Sequence, residues 1–98
     1  MTDFSQRVID IISSVPEGRV ASYGRIAEIA GNPRAARQVS RLLHSSSEKH
    51  NLPWHRIINS AGRISLKGEH AIIQRGLLES EGIEFGISGD VNMSRYGI

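Results

Sequence analysis

SYGRIAEIAGNPRAARQVSRLLHS, residues 22–45, is the stretch that decides the fold. Ser22 has the side chain of a helix N-cap, and Ile26, Ala27, Ile29 and Ala30 follow it at helical spacing. Gly31 supplies the stop. Asn32 then reads as the cap of a second helix, with Pro33 at its first position, where a missing N–H does no harm. That helix is expected to run to about Ser45 and to have two distinct sides. Ala35, Ala36, Val39, Leu42 and Leu43 fall on one; Arg34, Arg37, Gln38, Arg41 and His44 fall on the other. Two helices joined by a tight Gly31-Asn32-Pro33 turn, the second with a basic face, read as a helix-turn-helix. A plain amphipathic core helix with solvated arginines shares this periodicity. The turn, and the charge asymmetry described below, favour nucleic acid.

Before this unit, Phe4, Val8, Ile11, Ile12 and Val15 predict a first helix, capped by Thr2 or Asp3 and ended by Pro16-Glu17-Gly18. Arg19-Val20-Ala21 reads as a short extended link. After it, Ser45 to Asn51 is a polar loop. Ile57-Ile58-Asn59 and Arg63-Ile64-Ser65 flank Ser60-Ala61-Gly62 and predict a small β-hairpin. Residues 69–81 predict a last helix with Ile72, Ile73, Gly76 and Leu77 inward, stopped by Gly82. Ile83, Phe85 and Ile87 alternate, as in a strand or an ordered tail. Residues 88–98 are expected to fray as a flexible tail.

Composition sets the outer limits. The chain has 98 residues, of which 39% are hydrophobic and 22% charged, which predicts one domain, residues 1–98, with a modest core. No apolar run is long enough to span a membrane, and no signal peptide is visible. Cysteine is absent, which excludes disulfides, thiolate metal sites and a cysteine nucleophile and fits a cytoplasmic protein. Net charge is only +2, yet it is polarised. From Arg19 to Lys67, nine basic residues face only Glu28 and Glu48, whereas the remainder holds three basic residues against eight acids. Chance clustering of solvated charges is the plain explanation. One face made for a polyanion is the other.

A second stretch, NLPWHRIINSAGRIS at residues 51–65, crowds a proline, the only tryptophan, a histidine and an arginine into Pro53-Trp54-His55-Arg56. Together with the segment from Ala21 to Leu43 and with LLESEGIEF at residues 77–85, it resembles the DNA-binding domain of the O6-alkylguanine-DNA alkyltransferases. The resemblance covers roughly residues 4–87. The family's tetrad is Pro-Cys-His-Arg, and its cysteine accepts the alkyl group; here Trp54 stands at that position. The chain therefore resembles the alkyltransferase-like branch, which keeps the parts that bind DNA and flip a base but lacks the acceptor. The chemistry agrees. Alkyl transfer needs a thiolate or a comparable nucleophile, and indole N–H is only a donor.

The resemblance implies a mainly α, winged-helix-like DNA-binding domain with a helix-turn-helix and a short β-hairpin. It also assigns roles. Tyr23 and Arg37 match the base-flipping pair, the tyrosine crowding a phosphate and the arginine entering the stack. Arg34, Ser40, Arg41 and Ser46 are phosphate candidates. Trp54 and Lys67 fall at the lesion pocket, and the backbones of Trp54 and Ile57 are candidates for reading the base. Leu66-Lys67-Gly68-Glu69 departs from the family's glycine-rich loop, so the resemblance does not carry that loop's guanine contacts over to this chain. His55 and Glu81 match the network that activates the cysteine and here have nothing to activate. Pro53 is expected to fix the approach of the Trp54 loop, and Arg56 to hold loop carbonyls.

The function so implied is recognition without catalysis. Duplex DNA is bound, an O6-alkylguanine is rotated into a pocket floored by Trp54, and the complex passes to nucleotide excision repair. No cofactor or metal is called for, and a monomer is expected. Three alternatives remain open from sequence: a glycosylase or hydrolase using His55 and Glu81, a sequence-specific helix-turn-helix regulator, and a protein-interaction module.

Overall fold

The computed structural model describes residues 2–98. Helix α1 spans Asp3–Ser13, with Thr2 as N-cap accepting the Ser5 N–H. Strand β1 is Ala21–Ser22, and α2 is Tyr23–Ile29, capped by Ser22 through the Arg25 N–H at 3.0 Å. Gly31, at φ +98°, turns the chain out of α2 in a conformation that costs a glycine little.

The next helix, α3, is Ala36–Ser46, so it begins later than the Asn32-Pro33 signal predicts. Asn32 does act as a local cap, but of a turn: its side chain accepts the Arg34 N–H at 3.3 Å, and its carbonyl accepts the Ala35 N–H at 3.0 Å. The competing Asx-turn wins over helix initiation, and Arg34 lies on the turn rather than on the helix. The inward residues of α3 match expectation: Val39 and Leu43 are buried, and Arg37, Arg41 and His44 are exposed. Helix α2 packs directly on α3 as the helix-turn-helix requires.

The sheet differs from the predicted hairpin. Strand β2, Ile57–Ile58, pairs in parallel with β1, Ala21 opposite Ile57 and Ser22 opposite Ile58. Parallel strands need a long crossover, and the helix-turn-helix supplies it. Residues 59–63 close instead as a turn. Asn59 donates its N–H to the Arg63 carbonyl at 3.0 Å, and its side chain accepts the N–H groups of Ala61 and Arg63.

Successive residues of a strand face opposite ways, and this divides the interior in two. Ala21 and Ile57 join Val8, Ile12, Ile26, Val39 and Leu52 in a core built by α1, α2 and α3. Val20 and Ile58 point the other way, into a second core with Leu78, Ile83, Val91 and Tyr96.

That second core overturns the expectation of a frayed end. Asn92 caps a fifth helix, α5, Met93–Tyr96, and Val91 and Tyr96 are buried. Val20 donates to the Tyr96 carbonyl at 2.9 Å and accepts from the Ile98 N–H at 3.0 Å, while the Arg19 guanidinium holds the carbonyls of Tyr96 and Gly97. Gly62 permits the close approach: Val91 donates to its carbonyl at 2.8 Å, and a Cβ at Gly62 would lie 2.3 Å from the Val91 carbonyl oxygen.

Helix α4, Glu69–Ser80, also reverses an expectation. Its buried residues are Gln74 and Leu78, while Ile72, Ile73 and Leu77 are exposed. The cause lies in what the helix packs against. Gln74 donates its amide to the carbonyls of His55 at 3.0 Å and Ile57 at 3.1 Å. Buried carbonyls demand a donor, so a polar residue faces inward and the isoleucines do not.

Candidate nucleic-acid interface

The loop carrying Trp54 is set by its backbone. Asn51 adopts a positive φ of 50°, which asparagine tolerates better than most residues. Pro53, at φ −75° and ψ 66°, forms an inverse γ-turn in which the Trp54 N–H donates to the Leu52 carbonyl at 2.8 Å. The proline ring fixes that φ, as expected of it. Trp54–Arg56 then make one turn of 3-10 helix leading into β2. The Trp54 indole is half-buried, packs against the first core and meets His55 edge-on.

Below this turn lies a polar node. Glu81 follows the last residue of α4, and its carboxylate accepts His55 Nε2 at 2.7 Å, Arg56 Nε and Nη2 at 3.0 and 2.9 Å, and the Gly18 N–H at 3.1 Å. Arg56 Nη1 also donates to the Val15 carbonyl at 3.0 Å. Burial works to raise the Glu81 carboxyl, but the bonds from Arg56, His55 and Gly18 outweigh it and hold it at about 2. The Arg56 guanidinium is raised in turn, chiefly by its bond to Glu81. The expected His55–Glu81 contact is present, and Arg56 anchors a loop carbonyl as expected. The Arg56–Glu81 pairing was not legible in the sequence.

Above the turn, a cavity of about 610 Å³ opens between the helix-turn-helix and α4. Its lining includes Tyr23 from α2, Ser40, Arg41 and His44 from α3, Trp54 from the loop, and His70 and Gln74 from α4. This volume suits a small-molecule ligand the size of a nucleobase with a substituent. On its other side, Trp54 also borders a second cavity of about 640 Å³, with Ser13, Pro53 and Arg56. The indole is thus both a core anchor and a wall.

The predicted site residues divide. Tyr23 and Trp54 meet at the first cavity, and Tyr23 Oη lies 3.4 Å from Ser65 Oγ. Ser40 and Arg41 line the cavity as well as the outer face of α3. Arg37 is exposed on α3, Arg34 is exposed on the turn before it, and Ser46 is half-buried at the end of α3. Ile57 and Lys67 are not among the lining residues. The Ile57 side chain is buried in the first core, its carbonyl accepts the Gln74 amide and its N–H donates to the Trp54 carbonyl; Lys67 is exposed. His70 and Gln74 escaped sequence reasoning. Their spacing, four residues apart on one helix face and continuing to Leu78, was the available signal. Among the described residues no group of three or more His, Cys, Asp or Glu is placed to hold a metal, and no helix is long and apolar enough to cross a membrane.

A helix-turn-helix with an exposed arginine face thus stands beside a pocket walled by Trp54, in a chain that has no cysteine. The family described as 6-O-methylguanine DNA methyltransferase, DNA binding domain, matches residues 3–83, and the chain belongs to that family. It is 46% identical over 93 residues to the DNA base-flipping protein of Escherichia coli, covering 95% of this chain and 72% of that one. It is 41% identical over 86 residues to alkyltransferase-like protein 1 of Schizosaccharomyces pombe, covering 86% of this chain and 80% of that one. The crystal structure of S. pombe Atl1 in complex with damaged DNA containing O6-carboxymethylguanine superposes with a TM-score of 0.84 at 36% identity, covering 100% of this chain and 96% of that one.

Proposed function

We propose that this chain binds duplex DNA, rotates an O6-alkylated guanine into the pocket between Tyr23, α3 and Trp54, and holds it there without transferring the alkyl group. The observation that carries the reading is the pocket itself. Tyr23, Arg41 and Trp54 border one cavity beside an exposed arginine face, and the position of the family's nucleophile holds an indole. The similarity to a base-flipping protein and to one crystallised on damaged DNA supports it. Arg34 takes backbone phosphates, and Arg37 fills the space the rotated base leaves, which offsets an unstacking cost of about a few kcal/mol. His55 and Glu81 brace the loop. Because nothing covalent forms, the protein dissociates intact, and the held lesion is a mark for nucleotide excision repair.

The test uses matched duplexes differing only at one guanine O6. The alkylated duplex binds more tightly, Arg37→Ala and Tyr23→Ala reduce that preference, and mass spectrometry of the recovered DNA finds neither dealkylation nor base release. Equal affinity for both duplexes ends the reading, and any turnover replaces it with an enzymatic one.

A further inference from the structure

We infer that the groove between α4 and the loop of residues 85–91, away from the lesion pocket, is a docking site for a partner protein, and that the segment it takes carries a bulky apolar side chain flanked by carboxylates. The inference goes beyond the lesion reading and does not rest on it.

Three observations carry it. First, apolar groups gather in water at one place. A cavity of about 300 Å³ is lined by Ile64 and Phe85, which pack on the second core, and by Ile72 of α4, which is 74% exposed. The loop beside it is closed by its own backbone. Phe85 bridges Val91, Gly86 donates to the Asp90 carbonyl at 2.8 Å, and Gly89 donates to the Gly86 carbonyl at 2.9 Å. Its tip presents Ile87, fully exposed, where a turn ordinarily carries a polar residue. Single apolar residues on a surface are ordinary, but an apolar groove with a polar rim marks an interaction site.

Second, the rim has one sign. Arg63 and Arg75 line the groove, and among the described residues no carboxylate does. Arg63 is exposed, and its guanidinium enters no ion pair among the described residues. Arg75 lies over the Phe85 ring at 4.5 Å, and Glu79 approaches it at 3.6 Å in an exposed pair. Such a pair contributes little, so an arriving carboxylate can replace it. This chemistry selects the occupant. Guanidinium forks take carboxylates, and the apolar floor takes the side chain between them. Duplex DNA would meet the arginines but leave Ile72 and Phe85 without a partner. A second copy would bring the same two arginines to the same place.

Third, the groove and the lesion pocket lie on different sides of α4. His70 and Gln74 line the pocket, whereas Ile72 and Arg75 line the groove. Ile64 and Phe85 belong to the second core, and α3 to the first. A segment seated in the groove therefore leaves the arginine face of α3 uncovered, and DNA and partner can be held together.

The experiment selects a random peptide library displayed on phage against the intact chain, then titrates the enriched peptides, synthesised with a fluorophore, by anisotropy. Enriched peptides are expected to carry Asp or Glu beside Leu, Ile or Phe. Their affinity should fall about tenfold with Ile72→Ser and about threefold with each of Arg63→Gln and Arg75→Gln. The affinity of the same variants for plain and alkylated duplexes should not change. Circular dichroism melting verifies folding, and Ile72→Ser and Arg63→Gln alter side chains that are exposed. No enrichment, or enrichment of basic or uncharged peptides, overturns the inference, as does peptide binding that ignores Ile72→Ser. Loss of duplex affinity in the arginine variants without loss of peptide affinity makes the groove a DNA contact instead. Sedimentation of the free chain as a dimer that Ile72→Ser dissociates assigns the groove to a second copy, and the partner is then ruled out. None of these outcomes bears on lesion preference, which the duplex comparison above tests separately.

Discussion

The polar groups around Glu81 and those along α3 are of the same kinds, yet they are in opposite states. Around Glu81, an arginine, a histidine and a backbone N–H all converge on one carboxylate, and the second arm of the arginine reaches a carbonyl. Along α3 and the turn before it, Arg34, Arg37 and Arg41 enter no ion pair among the described residues and project from the surface. The first region joins α1, the Trp54 turn and α4; the second has been left available. Polar groups that the fold pairs internally hold structure, and groups it leaves to solvent on one face are free to meet a partner.

The largest expected break in that contrast is Glu81→Ala. It strands the half-buried Arg56 guanidinium with a single carbonyl partner and frees His55, and a largely sheltered pair broken on one side loses about 3 kcal/mol. Urea unfolding measures this. A loss below about 1 kcal/mol, in the range of an exposed pair, would show that the node does not hold the fold.

Next in size is the acid limb. The Glu81 carboxyl is held at about 2 against an ordinary value of 4.5. A folded value below the unfolded one stabilises the protein above the unfolded value, and that contribution is lost as pH falls through the interval toward 2. It amounts to about 3 kcal/mol at neutral pH. Unfolding free energy should therefore fall as pH drops from 4.5 toward 2, and Glu81→Gln should flatten that limb. If wild type and variant lose stability in parallel, other carboxylates are responsible.

The opposite behaviour is expected on α3. Arg37→Ala removes a side chain that makes no ion pair or hydrogen bond among the described residues, so its melting temperature should stay within about 2 °C of wild type. Affinity for the alkylated duplex should fall about tenfold or more, with the preference over guanine falling too, because the flipped state loses its plug. A variant that melts early and keeps its preference would place Arg37 in the satisfied class instead.

The contrast also explains which parts could be read from sequence. The helix-turn-helix was legible because Ser22, Gly31 and the spacing of Val39 and Leu43 act locally. The pocket's Tyr23 and Trp54 came from family motifs. What escaped was set by distant partners. The strand pairing of Ala21 with Ile57 spans the whole helix-turn-helix, so an apparent local hairpin was the cheaper reading. The inward turn of Gln74 answers the carbonyls of His55 and Ile57, and hydrophobic periodicity, which favours Ile72 and Ile73, is blind to them. The docked C-terminal segment depends on Val20, more than seventy residues earlier in the chain. The Ile57 side chain is set by the strand's alternation, which directs it into the core.

The smallest effect offers the finest division, between two free arginines. Arg34 sits on the turn that Asn32 closes, not on α3, whereas Arg37 lies on the helix itself. On the proposed reading the turn arginine takes phosphate and the helix arginine takes the space vacated by the base. Arg34→Ala should thus weaken binding to alkylated and plain duplexes by the same factor, leaving lesion preference unchanged. It should also reduce the slope of log affinity against log salt by about 1, as expected when one fewer phosphate is neutralised. Arg37→Ala should change preference as well. If Arg34→Ala alters preference while the salt slope holds, the roles of turn and helix are exchanged, and the arginine that enters the stack is the one the Asx-turn presents.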